Sequence, residues 1–381
     1  MTSIPGSGLL RWAEVDAAAL RHNAAAFRRR VDASVRLLVM VKSNGYGHGY
    51  EVAARAAIDG GADWLGVYTP DEALLLRGAG FDTPLLVAGW SPPPTHAALV
   101  ADGVDITVFD AASVTSVAAV AAAAGTSARV HVKLDSGLGR IGVRPEEVEA
   151  MAAALRTTRD HVRVAGIFTH YADAETDEPF TREQHARFLE GVEQLRAFAP
   201  EALLHTAGSA AILNFPDMHH ELVRLGIGFY GYAPAHPEPS VDVRIAMSVL
   251  ARVVQVKTVA AGDSVGYGRT WQASEPRRIA TVAIGYGQGV PRALSNRGVM
   301  VLRGRRCPIV GRVSMDQTTV DVSDSGGVSA GDEAMYYGER DGVRLGADEV
   351  AAAAGTIPHE IICGTAAWVP RLTLEHPRTG E

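Results

Sequence analysis

Short apolar runs alternate with amphipathic stretches along the first two thirds of the chain. The runs are rich in Val, Leu and Ile and lie at residues 37–41, 64–67, 85–88, 105–108, 130–134, 162–168, 203–205 and 222–225. Near-continuous apolar runs of this kind are typical of parallel strands that are buried on both faces. Evenly spaced strand–helix repeats predict an α/β fold with a (β/α)8 TIM-type barrel, and a doubly wound open sheet is the alternative.

Helix signals lie between the predicted strands. Thr69 followed by Pro70 and Glu72 is a capping box with proline at the first helical position. Asp110 is placed to cap a second helix, which Gly125 would end. Because these signals alternate with the apolar runs, they support the repeated strand–helix order.

The pattern changes near residues 234–240, which we interpret as a linker. Beyond it, runs rich in Val, Thr and Ile lie between glycines, at residues 249–259, 279–284, 299–302 and 318–322. Such runs predict strands without long helices between them. We therefore expect a barrel over residues 12–240 and a mainly β domain over residues 241–381, with residues 1–15 packing on the second domain.

Composition and charge exclude several classes of protein. The 381 residues are 47% hydrophobic and 21% charged, which is typical of a folded globular chain. The net charge is −7 and no basic block stands out, so a nucleic-acid partner is not expected. The two cysteines form no disulfide framework, and neither a secretory leader nor a membrane span is visible. A cytoplasmic protein without a membrane partner is the expectation.

The residues that follow the predicted strands supply the candidate chemistry, because barrel enzymes keep their active sites at the carboxyl ends of the strands. Lys42 follows the first run, and a desolvated lysine there loses its proton more easily and can form a Schiff base. Lys133 and Arg140 flank a glycine-rich turn after the fifth run, and His170 follows the sixth. From the residues alone, a solvated loop lysine, a salt-bridged turn and a structural histidine remain open interpretations.

Two glycine-containing segments after the last two runs predict an anion site. Ser209, Gly226 and Ile227 offer a hydroxyl and backbone N–H groups where barrel enzymes commonly bind phosphate. Residues 226–231 also match the GxGxxG pattern of dinucleotide-binding proteins, but Pro234 prevents the helix that this pattern requires. We therefore do not expect a dinucleotide site.

Tyrosines flanked by glycines mark the second domain. Tyr267 and Tyr286 each lie between glycines, and Met315 and Asp316 follow in a third loop. Such tyrosines serve either as hydrogen-bonding tips or as ordinary turn aromatics, and the residues alone leave both interpretations open. No group of His, Cys and Glu has metal-ligand spacing, so no metal is expected.

Taken together and in this order, the motifs resemble those of the alanine racemases, from Trp12 near the start to Arg371 near the end. The resemblance implies a barrel followed by a mainly β domain, with pyridoxal 5'-phosphate as the cofactor. It also implies a homodimer with the active site at the subunit interface and a small amino acid as the substrate. The implied reaction interconverts L- and D-alanine by two bases and would supply D-alanine for peptidoglycan.

The resemblance also implies a role for each candidate residue. Lys42 would carry the cofactor and act as one base, and Tyr267 would act as the second base from the other subunit. The cofactor-binding residues would be Lys42, Tyr46, Ser209, Arg224, Gly226 and Ile227. The supporting residues would be Arg140, His170, Asp316 and Lys133, the last of which matches a lysine that is often carbamylated. The substrate would contact Arg140, Tyr286 and Met315.

Four residues depart from the pattern of this family. Ala367 stands where many members have Tyr, and Trp368 replaces Arg. Gly208 replaces Asn, and Gln288 replaces Asp. A wider pocket would admit serine or larger amino acids, so a racemase of another or broader range is the nearest alternative. A pyridoxal-phosphate decarboxylase is the second, although the cysteine-rich loop of that family is missing. A cofactor carrier is the third, and the second domain with Tyr267 disfavours it.

Overall fold

The computed structural model describes residues 8–233 and 241–375, so the predicted linker at 234–240 lies outside the described residues. The chain divides into two compact units. The barrel unit comprises the described residues of 21–45 and 53–243, and the sheet unit comprises those of 8–20, 46–52 and 244–375.

Strands alternate with helices in the barrel unit, whereas the sheet unit consists mainly of strands. The strands are β1 (Arg11–Asp16), β2 (Arg36–Met40), β3 (Trp64–Val67), β4 (Leu85–Val87), β5 (Asp105–Val108), β6 (Ala128–Lys133), β7 (Val162–Phe168), β8 (Leu203–His205), β9 (Leu222–Leu225), β10 (Met247–Val259), β11 (Ser264–Val265), β12 (Trp271–Gln272), β13 (Arg277–Val282), β14 (Val299–Leu302), β15 (Arg305–Pro308), β16 (Thr318–Asp321), β17 (Glu333–Arg340), β18 (Val343–Leu345) and β19 (Arg371–Leu374). The helices are α1 (Ala17–Arg28), α2 (Lys42–Tyr46), α3 (Tyr50–Asp59), α4 (Pro70–Gly78), α5 (His96–Ala101), α6 (Ala111–Ala123), α7 (Val148–Thr158), α8 (Glu178–Leu195), α9 (Ser209–Asn214), α10 (Ala347–Ala354) and α11 (Pro358–Gly364).

The barrel unit is an eight-stranded parallel barrel. Strands β2 to β8 pair in sequence order, and β9 pairs with β2. Between β8 and β9, the backbone N–H of Arg224 donates to the carbonyl of Ala207 at 2.9 Å. The predicted barrel is therefore confirmed, and the open-sheet alternative is wrong because β9 lies beside both β2 and β8. Each of the eight apolar runs coincides with one barrel strand.

The predicted helix caps are present. The hydroxyl of Thr69 accepts from the backbone N–H of Glu72, whose carboxylate accepts from the N–H of Thr69. Asp110 accepts from the N–H of Ser113 at 2.6 Å. Glu72 also accepts from the N–H of Ser43 at 2.6 Å, so the cap of α4 holds the loop that follows β2.

The sheet unit is built around the long strand β10. β10 pairs antiparallel with β1, β13 and β17, and β1 also pairs in parallel with β19. The largest fully buried side chains here are Trp12, Tyr336 and Tyr337. The prediction of a mainly β second domain is confirmed, although the apolar pattern missed β17 and the short helices α10 and α11. Among the described residues, no helix of either unit has the length and apolar character needed to cross a lipid bilayer.

Candidate active site

Lys42 begins a strained turn at the carboxyl end of β2. Ser43, Asn44, Gly45 and Tyr46 all have left-handed backbone angles, with φ between 48° and 59°. A left-handed conformation costs roughly 1–2 kcal/mol for each residue that has a side chain. The hydrogen bond from Ser43 to Glu72 helps to hold this backbone in place. Strained backbone of this kind is concentrated at functional sites, which marks the Lys42 turn as a candidate site.

Arg224 lies near the carboxyl end of β9 and is only 6% exposed. Its Nη1 donates to the carbonyl and to Nδ1 of His205, at 2.7 and 3.0 Å. Its Nη2 donates to the carbonyls of Thr169 and Thr206, at 2.7 and 2.9 Å, and lies 3.3 Å from Nδ1 of His170. In the part of the chain that the structure describes, these five contacts all come from Nη1 and Nη2. The Nε–H is therefore the donor that remains for a ligand.

Burial lowers the pKa of Arg224 to about 10, which still leaves the guanidinium protonated at pH 7. Lys133, at the end of β6, is 5% exposed, and its Nζ lies 5.4 Å from the centre of the Phe168 ring. Burial, and then the positive charges of Arg224 and Arg140, lower the pKa of Lys133 to about 7. The open end of the barrel therefore gathers positive charge, which favours an anionic ligand.

His170 lies beside this group of cations. An arginine only donates hydrogen bonds, so Nδ1 of His170 accepts from Arg224 and the ring proton lies on Nε2. Desolvation, and then the charges of Arg224, Lys133 and Arg140, lower the pKa of His170. The ring is exposed at the open end of the barrel, which weakens the desolvation, but the cations act in the same direction. His170 is therefore neutral at pH 7 and orients Arg224 as an acceptor.

A small cradle joins the loops after β8 and β9. The hydroxyl oxygen of Ser209 accepts from the backbone N–H groups of Gly226 and Gly228, at 3.0 and 3.3 Å. Because this oxygen accepts twice, its own O–H is left to donate. Ile227 begins a four-residue 3₁₀ turn that Gly231 ends with a φ of 97°. A short turn replaces the helix of a dinucleotide site, in agreement with the rejection of the GxGxxG match.

The candidate residues of the sheet unit lie outside its strands. Tyr46 is buried, with its ring centre 6.0 Å from that of His359. Tyr267 lies at the tip of the β11–β12 hairpin and is 72% exposed. The exposed Tyr286 and Met315 belong to loops that are joined by backbone hydrogen bonds between residues 286–287 and 314–315. The structure thus brings Tyr286 and Met315 together and presents Tyr267 on a separate hairpin.

Two of the four departures from the family pattern meet in the sheet unit. The buried amide of Gln288 donates to a carboxylate oxygen of Asp316 at 2.8 Å. Arg11 lies 3.9 Å from the same carboxylate oxygen, and its guanidinium lies 5.2 Å from the centre of the exposed Trp368 ring. The neutral amide of Gln288 and the indole of Trp368 thus lie beside one ion pair. The family pattern has an aspartate and an arginine at these two positions.

A third departure, Gly208, lies in the barrel unit. A Cβ built on it would lie 3.6 Å from Cε1 of His170, which is ordinary van der Waals contact. Packing therefore does not require glycine at this position.

Three buried polar residues of the barrel were missed by the sequence reasoning. Asp105, His131 and His205 point into the barrel from β5, β6 and β8, and all three are buried. The signal was present, because each is a charged or titratable residue within an otherwise apolar run. The local pattern does not predict that the three side chains meet, because they lie far apart along the chain.

A closed barrel whose carboxyl end holds a lysine, a buried arginine and a serine–glycine cradle is the arrangement of an enzyme that binds an anionic ligand. The domain pattern described as alanine racemase, N-terminal domain matches residues 15–234, and that described as alanine racemase, C-terminal domain matches residues 246–373. The chain belongs to the alanine racemase family and is an amino-acid racemase. The expectation drawn from the motifs is confirmed.

Individual relatives agree with this assignment. An alanine racemase of Symbiobacterium thermophilum is 42% identical over 94% of this chain and 96% of its own. The solved alanine racemase of Streptomyces coelicolor A3(2) is 34% identical, covers 98% of this chain and 100% of its own, and superposes with a TM-score of 0.92. That of Bartonella henselae, with covalently bound pyridoxal phosphate, is 25% identical, covers 96% and 99%, and has a TM-score of 0.86.

Proposed function

We propose that this chain is a pyridoxal-phosphate-dependent racemase that interconverts L- and D-alanine as a homodimer. The observation that carries the proposal is the carboxyl end of the barrel, where a buried guanidinium keeps one donor, Nε–H, beyond its protein contacts. A pyridine nitrogen is the kind of neutral acceptor that such a donor suits. Arg224, Lys42 and Ser209 would meet the ring nitrogen, the aldehyde and the phosphate of this cofactor.

The residues fit the cofactor in charge as well as in type. The phosphate would be held by Tyr46, Ser209, Gly226 and Ile227, and Arg140 would face the phenolic oxygen. The Ser209 hydroxyl, which accepts two backbone N–H groups, has its O–H to donate to a phosphate oxygen. The cations around Lys133 suit a ligand with several negative charges. Each chemical group of pyridoxal phosphate thus has a partner of the matching type.

The reaction needs a proton to leave one face of Cα and another to arrive on the opposite face. When bound, pyridoxal phosphate supplies the electron withdrawal that acidifies this Cα–H. In the proposal, Lys42 and Tyr267 hold and move the proton on the two faces. Arg224 keeps its own proton, because its lowered pKa of about 10 remains well above neutral pH. It therefore orients by donating a hydrogen bond and transfers no proton.

The homodimer is supported by the exposed side chains of the sheet unit. Tyr267, Tyr286, Met315 and Trp368 are all large and exposed in the described chain. Large aromatic and Met side chains are enriched where proteins meet one another. A second copy that covers these residues would bring Tyr267 to a site with Lys42.

A racemase of broader amino-acid range is the second candidate, and the residues around Ala367 favour it. The methyl side chain of Ala367 cannot narrow a pocket or hydrogen-bond a phosphate as the tyrosine of the family pattern would. Its neighbour Trp368 is exposed. If alanine is the preferred substrate, the expected role of the product, D-alanine, is incorporation into peptidoglycan precursors.

The test is racemisation of single enantiomers by the cofactor-loaded protein. L-alanine, L-serine and several larger L-amino acids are incubated separately, and the products are resolved by chiral chromatography. We expect D-alanine to form fastest, and the Lys42→Ala protein serves as the blank. Racemisation of another amino acid with alanine inert would establish the second candidate. Carbon dioxide release without racemisation would contradict both candidates.

Lys133 gives a prediction that is independent of turnover. Its folded-state pKa of about 7 lies below the usual value near 10.5, so between these values the unfolded chain binds a proton that the folded chain lacks. The free energy of unfolding therefore increases as the pH rises above about 7. Below pH 7 the folded chain carries the buried charge, and its full destabilising effect is present. We expect Lys133→Met to stabilise the cofactor-free protein by roughly 3 kcal/mol more at pH 6 than at pH 9.5.

The measurement is urea unfolding at both pH values in buffer free of carbon dioxide, which prevents carbamylation of the lysine. Lys257→Met, on β10 of the sheet unit, is the matched control and should show no comparable pH dependence. An equal effect of Lys133→Met at both pH values would show that the amine is not desolvated.

A further inference from the structure

Four buried side chains inside the barrel form a continuous line of hydrogen bonds. Asp105 on β5 contacts Nε2 of His131 on β6, at 2.9 Å. Nδ1 of His131 lies 2.9 Å from Nε2 of His205 on β8. Nδ1 of His205 lies 3.0 Å from Nη1 of Arg224 on β9. The line therefore runs from a carboxylate at one wall of the barrel to the arginine of the proposed cofactor site.

The direction of every bond in this line is determined by its two ends. Arg224 can only donate, so Nδ1 of His205 accepts and the ring proton lies on Nε2. That proton is donated to Nδ1 of His131, whose own proton then lies on Nε2 and is donated to Asp105. A doubly protonated His131 would place a second donor against His205, so both rings are neutral. Burial, with the charge of Arg224, lowers the pKa of His205 well below its usual value, in agreement.

The carboxylate end is held in its ionised form. Burial raises the pKa of Asp105, but hydrogen bonds from His131 and Arg129 outweigh it and leave that pKa lowered. Arg129 donates to both carboxylate oxygens, at 2.7 and 3.0 Å. At neutral pH the Asp105 carboxylate is therefore ionised and can only accept, which selects the His131 tautomer with its proton on Nε2.

The fold makes room for this line. β7 lies between β6 and β8, and Gly166 of β7 is the residue paired with His131. A Cβ at Gly166 would lie 2.3 Å from Nδ1 of His131, so any side chain there would separate the two histidines. A register shift between β6 and β7 begins at the same point. The Phe168 ring stacks on His205 with 4.7 Å between ring centres and 6° between planes, which fixes its orientation.

We propose that Asp105, His131 and His205 are positioning residues that set the orientation of Arg224 and so direct its Nε–H toward the cofactor. The inference rests on the proposed function, because it assigns these residues a role at that site. The carbonyl groups around Arg224 accept in any tautomeric state, whereas Nδ1 of His205 accepts only in the tautomer that Arg224 and, through His131, the Asp105 carboxylate select together. Loss of that acceptor would turn the planar guanidinium and misdirect Nε–H, which is rigidly joined to Nη1.

Replacement of the carboxylate tests the line from its far end. In Asp105→Asn, the charge that selects the His131 tautomer is lost, and the amide can also donate to Nε2. ¹⁵N NMR of histidine-labelled, cofactor-free protein reports the tautomers directly. We expect both His131 and His205 to carry their proton on Nε2 in the native chain, and a mixture or reversal in the variant.

The second readout is the affinity for pyridoxal phosphate, measured by fluorescence titration of the cofactor-free protein. We expect Asp105→Asn to bind the cofactor roughly tenfold to a hundredfold more weakly, as for the loss of one hydrogen bond to a charged group. Thr107→Val is the matched control, since Thr107 is buried two residues along the same strand and its hydroxyl donates only to the Val87 carbonyl. The control should destabilise the fold without changing either readout.

Several outcomes would overturn the inference. A proton on Nδ1 of His205 in the native chain contradicts the direction of the line, and this measurement needs no variant. Altered tautomers in Asp105→Asn with cofactor affinity within twofold of the native value would show that the line does not act on Arg224. A native chain that binds no pyridoxal phosphate would instead overturn the proposed function and the cofactor role with it, while the tautomers still decide whether the line exists.

Discussion

We expect replacement of Lys42 by alanine to abolish the proposed covalent attachment of pyridoxal phosphate and to lower racemisation by at least about 10⁴-fold. The expected effect is large because, in the proposal, one residue supplies both the attachment and a base, and a positioned base alone contributes about 10²–10⁴-fold. The chain contains three lysines, at positions 42, 133 and 257. Borohydride reduction followed by peptide mass spectrometry therefore identifies the attachment site without ambiguity.

Lys133 is the rival for attachment. Its pKa is lowered to about 7, so much of it is the neutral amine that reacts with an aldehyde. However, it is buried against Phe168, whereas Lys42 begins the strained turn at the carboxyl end of β2. We expect the label on Lys42 in the native protein and in the Lys257→Ala control. A label on Lys133, or one that persists in Lys42→Ala, would remove Lys42 as the anchor.

We expect replacement of Tyr267 by phenylalanine to reduce racemisation by about 10²–10⁴-fold and to leave the cofactor covalently attached, because only one of the two proposed bases is lost. In heavy water, the native protein should exchange the Cα proton of both alanine enantiomers. The variant should exchange it rapidly in only one, the enantiomer whose proton faces Lys42. Proton NMR of each enantiomer measures the exchange.

Tyr336→Phe is the matched control, because Tyr336 is a buried residue whose hydroxyl donates to the Gly289 carbonyl within the sheet unit. It should retain exchange of both enantiomers. If Tyr267→Phe also exchanges both at the native rate, the assignment of Tyr267 as a base is wrong.

Mixing two inactive variants tests whether Tyr267 acts across the proposed dimer. In a dimer of one Lys42→Ala chain and one Tyr267→Phe chain, a site shared between subunits regains both native residues once. Random exchange of subunits would then restore about a quarter of the native activity. If both residues come from the same chain, every site carries one defect and mixing restores nothing.

Much of the fold could be predicted because its signals are local. The eight apolar runs coincide with the eight barrel strands. Thr69 and Asp110 cap the two helices that the residues following them predict. The position of Lys42 after the first run placed it at the carboxyl end of the barrel. These features depend on residues a few positions apart, where backbone geometry alone decides which side chains meet.

The chain by itself determined the strand–helix order, the positions of the candidate lysine, tyrosine and arginine, and the family. Only the tertiary structure decided how Arg224 is held, which tautomers its histidines adopt and how far burial lowers the pKa of Lys133. The reason is distance along the chain: His131 meets Asp105 across 26 positions and His205 across 74. Such contacts depend on barrel closure and on the space left at Gly166, which no local pattern encodes.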